Sequence, residues 1–288
     1  MPGITQHQSA RFTKLLLLGH SGSGKTGSLV SLVTAGYKLR ILDFDNGIDI
    51  IKNFLMKPES PYNSELRTKN IDIDAAVQFC TITEHMKNIN GRMMPVKATV
   101  WDRAMKMLDH WKDGEIDLGK PANWGDKIIL VIDSLSKLSQ HGFNWVQMMN
   151  GRLGKDSVDF EFQRDMGQAQ RLVQGFLELL ADEAFEVNVI VISHIAFASD
   201  RAGQKDQVGE GVIKGFPEAV GKALLPKIPR SFNNVIQAET VGQGPATKHK
   251  LFTYSQGEVH LKSSAPASVK KEYDIATGMA EFFRAVRG

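Results

Sequence analysis

The stretch that most constrains this chain is LLLLGHSGSGKT, residues 15 to 26. Four consecutive leucines read as a short strand buried on both faces. From Gly19 the chain matches G-x-x-x-x-G-K-[ST] in full, through Gly19, His20, Ser21, Gly22, Ser23, Gly24, Lys25 and Thr26, with Gly27 next. Glycines let the backbone curl until successive N–H groups point inward as an anion nest. A helix starting near Thr26 adds free N–H groups and its dipole. Lys25 is placed for β- and γ-phosphates, and the Thr26 hydroxyl for a Mg²⁺ ligand position. The helix runs to about Ala35, with Gly36 as its stop. The pattern implies a phosphate cradle. It does not say what work the nucleotide drives.

The chain has 288 residues, enough for one large α/β domain or two small ones. Net charge is only +3, so any nucleic-acid surface must be local. The single cysteine, Cys80, excludes an internal disulfide, and no Cys/His cluster suggests zinc. The N-terminal residues MPGITQHQSARFTK lack a signal-peptide core, and no apolar run approaches membrane-spanning length. The expectation is a cytoplasmic protein with no membrane partner.

Strand-like runs lie near 14–18, 39–44, 77–83, 127–132 and 187–193, and helical patterns near 26–35, 97–111 and 157–182. This alternation predicts a mostly parallel sheet covered by helices on both faces. Short strands are expected at 234–239, 250–254 and 258–262, as an antiparallel extension, before a last helix over 276–286. Loops are expected at 56–70, 113–126 and 198–216, the last rich in glycine and long enough to be functional. The whole chain is read as one domain, with a core over about 12–262 and a C-terminal tail and helix over 263–288.

The apolar run Ile128–Ile132 ends at Asp133, the Walker B pattern, in which a carboxylate at a strand end sits beside the phosphate loop and holds the Mg²⁺ water shell. An alternative role is capping of the following helix, which Ser134 serves equally well. Ser134 is not Glu, so the base must come from another strand. LRILDFDNG, residues 39 to 47, offers Asp43 and Asp45, either of which can orient the attacking water. Alternation puts both on one side, and a plain turn at Asp-Asn-Gly is the competing reading. VIVISHIAF, residues 189 to 197, ends in Ser193-His194, where His194 can report on the γ-phosphate to the loop that follows.

These residues resemble the RecA-type P-loop ATPase core. WGDKIILVIDSLSKLS (124–139), NVIVISHIAF (188–197) and GFPEAVGKALLPKIPRSFNNVIQAE (215–239) resemble, more closely, the phage-encoded RecA-like proteins of the Sak single-strand annealing and recombination group. The resemblance implies a RecA-like core and an ATPase using ATP and Mg²⁺, slow and modulated by single-stranded DNA. It places Asp45 at the base position, as an Asp where the family carries Glu. It places His194 where the family carries a glutamine that couples γ-phosphate to DNA. It implies a DNA-contacting loop with Arg201, Lys205, Lys214 and Phe216, and trans-acting cations at Lys248 and Lys250 that complete a neighbour's site. The implied partners are single-stranded DNA, further copies of the chain in a ring or filament, and a single-strand-binding protein. The host cytoplasm is the implied location. A helicase-like motor and an ATP-gated scaffold with little hydrolysis are the alternatives. The sequence carries no lid arginine cluster of the kind a small-molecule kinase needs, no N/T-K-x-D motif of a GTPase and no LSGG-like signature of an ABC-type ATPase.

Overall fold

A computed structural model describes residues 11–60, 62–89, 91–155, 158–199, 212–242, 244–255 and 257–288. Its centre is an eight-stranded sheet in the order β14-β13-β12-β1-β9-β8-β2-β3. The parallel part is built from β1 (Lys14–Leu18), β2 (Lys38–Asp43), β3 (Val77–Thr81), β8 (Gly125–Asp133), β9 (Val187–Ser193) and β12 (Asn234–Val241). The antiparallel extension adds β13 (Lys248–Phe252) and β14 (Glu272–Asp274). Among the described residues, three strand pairs lie outside this sheet: β4 with β5 (Met86–Ile89, Arg92–Pro95), β6 with β7 (Trp111–Asp113, Ile116–Gly119), and β10 with β11 (Ile195–Ser199, Ile213–Pro217). The expected α/β class, a mostly parallel sheet flanked by helices with a C-terminal antiparallel extension, is the observed one.

Strand β1 shows why both sheet faces must be covered. Leu15 and Leu17 pack with Leu32, Val33, Phe282 and Phe283 on one face. Leu16 and Leu18 pack with Trp101, Leu138, Phe176 and Leu177 on the other. Alternate residues of a strand face opposite ways. An unbroken leucine run therefore needs a layer on each side.

The helix after the phosphate loop is broken into Lys25–Ser28 and Val30–Thr34. Ser28, Ser31 and Thr34 each donate a hydroxyl to the carbonyl three residues back, at 2.6, 3.0 and 3.0 Å. Such back-bonding competes with the backbone ladder and bends a helix locally. The helix expected over 97–111 spans Val100–Asp109, and the long one spans Asp159–Ala181. The helix that follows Asp133 spans Leu135–Met149, and helix Asp49–Met56 was not expected as a separate element.

Three expectations need correction. The 56–70 stretch is not plain loop, because helix Asn63–Thr68 lies within it. Residues 258–262 form no strand of the sheet; Val259 and Lys262 make isolated bridges, to Gly215 and Val235. The edge beside β13 goes to β14, because Tyr273 fills the core beside Leu251 and Phe282. The 113–126 stretch is not plain loop either. Gly114 adopts a left-handed φ of 58° between β6 and β7, and Trp111 packs on Trp124. Beyond 262, helix Ile275–Arg287 buries Met279, Phe282 and Phe283. Its Ala280 N–H donates to Ser31 Oγ at 3.1 Å, so this segment is built onto the phosphate-loop helix.

Candidate functional site

The register of the sheet decides where the site lies. Leu18 is level with Ser193, Asp133 with Ile192, and Asp43 with Asp133. Strands β1, β9, β8 and β2 thus end at one rim. Strand β9 separates the phosphate-loop strand from the Asp133 strand, so the residue following it, His194, emerges between them. Ligands in open α/β sheets bind at such carboxyl-end crevices.

At that rim lies a cavity of about 630 Å³. One end is polar, lined by Ser21, Gly22, Gly24, Lys25, Thr26, Asp45, Asp133 and His194. The other end is formed by Ile50, Phe54, Tyr62, Ile275 and Ala276, with His249 beside the loop. Gly24 sits at φ 91°, which a side chain would strain. A Cβ on Gly19 would lie 2.5 Å from the Ala238 carbonyl oxygen, so the loop and β12 pack too closely for any other residue there.

Lys25 Nζ donates to the Gly19 and His20 carbonyls at 2.8 and 2.7 Å and lies 3.5 Å from His194 Nδ1. Burial lowers its pKa, and Asp133 and Asp45 pull it back up in part. Thr26 Oγ1 donates to Asp133 Oδ2 at 2.7 Å. Burial pushes the Asp133 carboxyl up to about 6, against the Thr26 hydrogen bond and with the repulsion of Asp45 and Asp43. The Asp133–Ser134 peptide is cis, and Ser134 Oγ caps the next helix by accepting from Lys137 N–H at 3.4 Å. The cap and the carboxylate are therefore two residues, not one.

The two aspartates after β2 part company. Asp43 is 1% exposed and fully engaged. Its Oδ1 accepts from the N–H groups of Asp45 and Gly47, both at 3.2 Å, and its Oδ2 from Thr81 Oγ1 at 3.1 Å. Asn46 takes a left-handed φ of 55°, a conformation Asn tolerates. The turn swings Asp45 into the cavity, where its Oδ2 lies 3.8 Å from His194 Nε2. Burial raises the Asp45 pKa, but the nearby polar side chains of His194 and Ser134 outweigh it, and the net shift is downward.

The cavity fits a magnesium nucleotide on its own terms. Asp45, which lines the cavity, has a buried Oδ1 without a hydrogen-bond partner. A carboxylate oxygen with a free lone pair suits a water proton. Thr26 and Asp133 are the residues that would hold the metal, which supplies charge neutralisation on the phosphates when bound.

The remaining expected residues are dispersed. Arg201 and Lys205 lie outside the described residues. Lys214 and Phe216 are on β11, opposite Ala198 and Ala196, and not in a loop. Phe216 is 9% exposed, so its ring has no open face for a base; it was drawn inward because β11 packs against the core. Lys248 is exposed, and Lys250 Nζ is bonded to Glu272 Oε1 at 2.5 Å. On β13 it is His249, between them, that lines this chain's own cavity, with Nδ1 3.2 Å from Thr240 Oγ1. Sequence reading missed His249. It also missed Ile50 and Phe54, although their i, i+4 spacing on an amphipathic helix was a signal, and Ile275, for which nothing nearby in sequence gave one.

Two solved structures are similar to this chain over most of its length. A KaiC-like protein from the hyperthermophilic archaeon Pyrococcus horikoshii OT3 is 11% identical, with 92% of this chain and 85% of that one covered at a TM-score of 0.38. The flagellar accessory protein FlaH from Methanocaldococcus jannaschii is 12% identical, with 93% and 88% covered at a TM-score of 0.41. No curated protein matches. The family model described as AAA domain matches residues 11–261, from the segment before β1 to beyond β13, and the chain belongs to that family, with the P-loop ATPase core assembled at this rim.

Proposed function

We propose that this protein hydrolyses ATP and couples hydrolysis to binding of single-stranded DNA, in recombination or annealing of the phage Sak type. One connected set of contacts carries the reading. His194 lies between Lys25 and Asp45. The strand that follows it is the first of the β10–β11 hairpin, and the Glu218 N–H just beyond the hairpin returns to the His194 carbonyl at 2.8 Å. Farther along the hairpin, Phe197 stacks on His20 of the phosphate loop, with ring centroids 5.9 Å apart. A change at the γ-phosphate position therefore has two routes to the hairpin. The residues joining its strands include Arg201 and Lys205, cations suited to phosphates.

In this reading Asp45 orients and deprotonates the attacking water, His194 senses the leaving phosphate, and Lys25 neutralises transferred charge. Asp43 holds the turn. The apolar end of the cavity, Ile50, Phe54 and Ile275, accepts the base. Lys248 and Lys250 act in trans in a homo-oligomer, with Lys250 exchanging Glu272 for the neighbour's phosphate. The DNA assignment rests on the resemblance of segments 124–139, 188–197 and 215–239 to the Sak group.

The test is steady-state ATP turnover with and without single-stranded DNA, with Lys25→Ala as the control. DNA stimulation that vanishes in Lys25→Ala supports the reading. Turnover indifferent to DNA removes the coupling and leaves an ATP-gated scaffold as the better account.

A further inference from the structure

We propose that the β4–β5 hairpin is a second contact surface for single-stranded DNA, apart from the glycine-rich segment after β10. The inference rests on the DNA reading above.

Charge separates the two segments. Residues 85–101, HMKNINGRMMPVKATVW, contain Lys87, Arg92 and Lys97 and no acidic residue. In 198–216, Asp200, Asp206 and Glu210 offset Arg201, Lys205 and Lys214. A polyanion gains from the first segment and little net from the second. Lys87 and Lys97 are exposed, and no described residue forms an ion pair with either. Val96, paired with His85, is exposed on the Lys87 face, and Met86 and Met93, at the alternate positions, are exposed on the hairpin's other face, with Met93 62% accessible. A single strand wrapping this hairpin meets cations suited to its phosphates and exposed apolar side chains suited to unstacked bases.

Placement supports the same partner. Lys87 is directly opposite Met94 in the hairpin register, and cross-strand partners share a face. A Cβ on Gly154 would lie 3.4 Å from Met94 Sδ, so this face borders the loop after helix Leu135–Met149. The next residue of that loop, Lys155, is an exposed lysine. The hairpin base is fixed to the helix. The Glu84 side chain is 2% exposed, accepts from Asn144 Nδ2 at 2.9 Å and lies 3.3 Å from His141 Nδ1. The Val96 N–H closes the hairpin on the His85 carbonyl at 2.9 Å. Because this helix begins directly after Asp133 and Ser134, the surface is carried by the element that leaves the nucleotide site.

The experiment measures binding of fluorescent oligothymidine by anisotropy over a salt series, for wild type, Lys87→Ala/Lys97→Ala, and Arg201→Ala/Lys205→Ala/Lys214→Ala. The hairpin variant should bind about tenfold more weakly, and its slope of log affinity against log salt should shrink by about 1.4, at about 0.7 for each lost phosphate contact. Its ATP turnover without DNA should equal wild type, which shows that the fold is intact. Wild-type affinity and slope in the hairpin variant overturn the proposal, and leave the DNA reading in place if the second variant is impaired. No binding by the wild-type protein overturns both.

Discussion

Asp45 Oδ2 lies 3.8 Å from His194 Nε2, across the carboxyl ends of β2 and β9. Asp43, two residues earlier, is buried and accepts three hydrogen bonds from its own turn and from Thr81. The two carboxylates should therefore fail differently. Asp45→Asn should keep nucleotide binding and reduce turnover at least a hundredfold, the scale of lost general-base catalysis. Asp43→Ala should lower stability by about 2–4 kcal/mol, since it strands buried donors. Turnover, ATP affinity and urea unfolding of both variants check this; equal turnover loss with equal destabilisation would erase the distinction.

His194 should separate coupling from chemistry. His194→Ala should leave basal turnover within about tenfold of wild type and abolish its response to DNA, because the residue's backbone links to Glu218 and its ring faces Lys25 and Asp45. A DNA response retained at full size would place the sensor elsewhere.

The loop and the long helix are held together by one buried ion pair. Asp165 is 0% exposed; it accepts from Arg152 Nε and from Asn150 Nδ2, both at 2.7 Å. The Arg152 guanidinium holds the Asp165 carboxyl below the usual carboxylate range. Removing one partner of such a pair leaves a charge without compensation. Asp165→Ala should cost about 3–5 kcal/mol of unfolding free energy. Basal turnover at low temperature should remain, since none of these groups lines the nucleotide cavity. A urea midpoint unchanged from wild type would show that the pair contributes nothing.

Lys14 sets a pH dependence of stability. Its ammonium donates to the Phe185 and Val187 carbonyls at 2.7 and 3.1 Å, and burial lowers its pKa to about 8. The unfolded chain, with a lysine pKa near 10.5, binds more protons between these values. Stability therefore rises with pH from about 8 to about 10.5, and the cost of the buried charge is complete below 8. The gap is on the order of 3 kcal/mol. Wild-type stability minus that of Lys14→Met should rise across this window in urea titrations. A flat difference would mean that the ammonium is solvated in the folded state.

Much of the site was legible in the sequence because its signals are local. The phosphate loop is a backbone conformation dictated by glycine placement between a strand and a helix. Asp133 is marked by the apolar run that ends at it, and His194 likewise. These patterns survive without any knowledge of what packs against them. Residues such as Phe216 misled because strand-forming residues on a loop boundary look the same whether they face water or a core.

What only the tertiary structure decided was every choice between equivalent local candidates. Alternation put Asp43 and Asp45 on one side; the left-handed turn at Asn46 and the hydroxyl of Thr81, on a neighbouring strand, turned one inward and left the other in the cavity. Residues 258–262 were expected at the sheet edge, and 272–274 took it instead, with the ring of Tyr273 buried. His249 and Ile275 reached the phosphate loop across more than two hundred residues, through strand pairing and helix docking that no local pattern encodes. The sequence by itself determined a nucleotide-binding α/β chain, because backbone conformation and hydrophobic period are properties of neighbours. Which side chains converge on the cavity was decided by long-range packing.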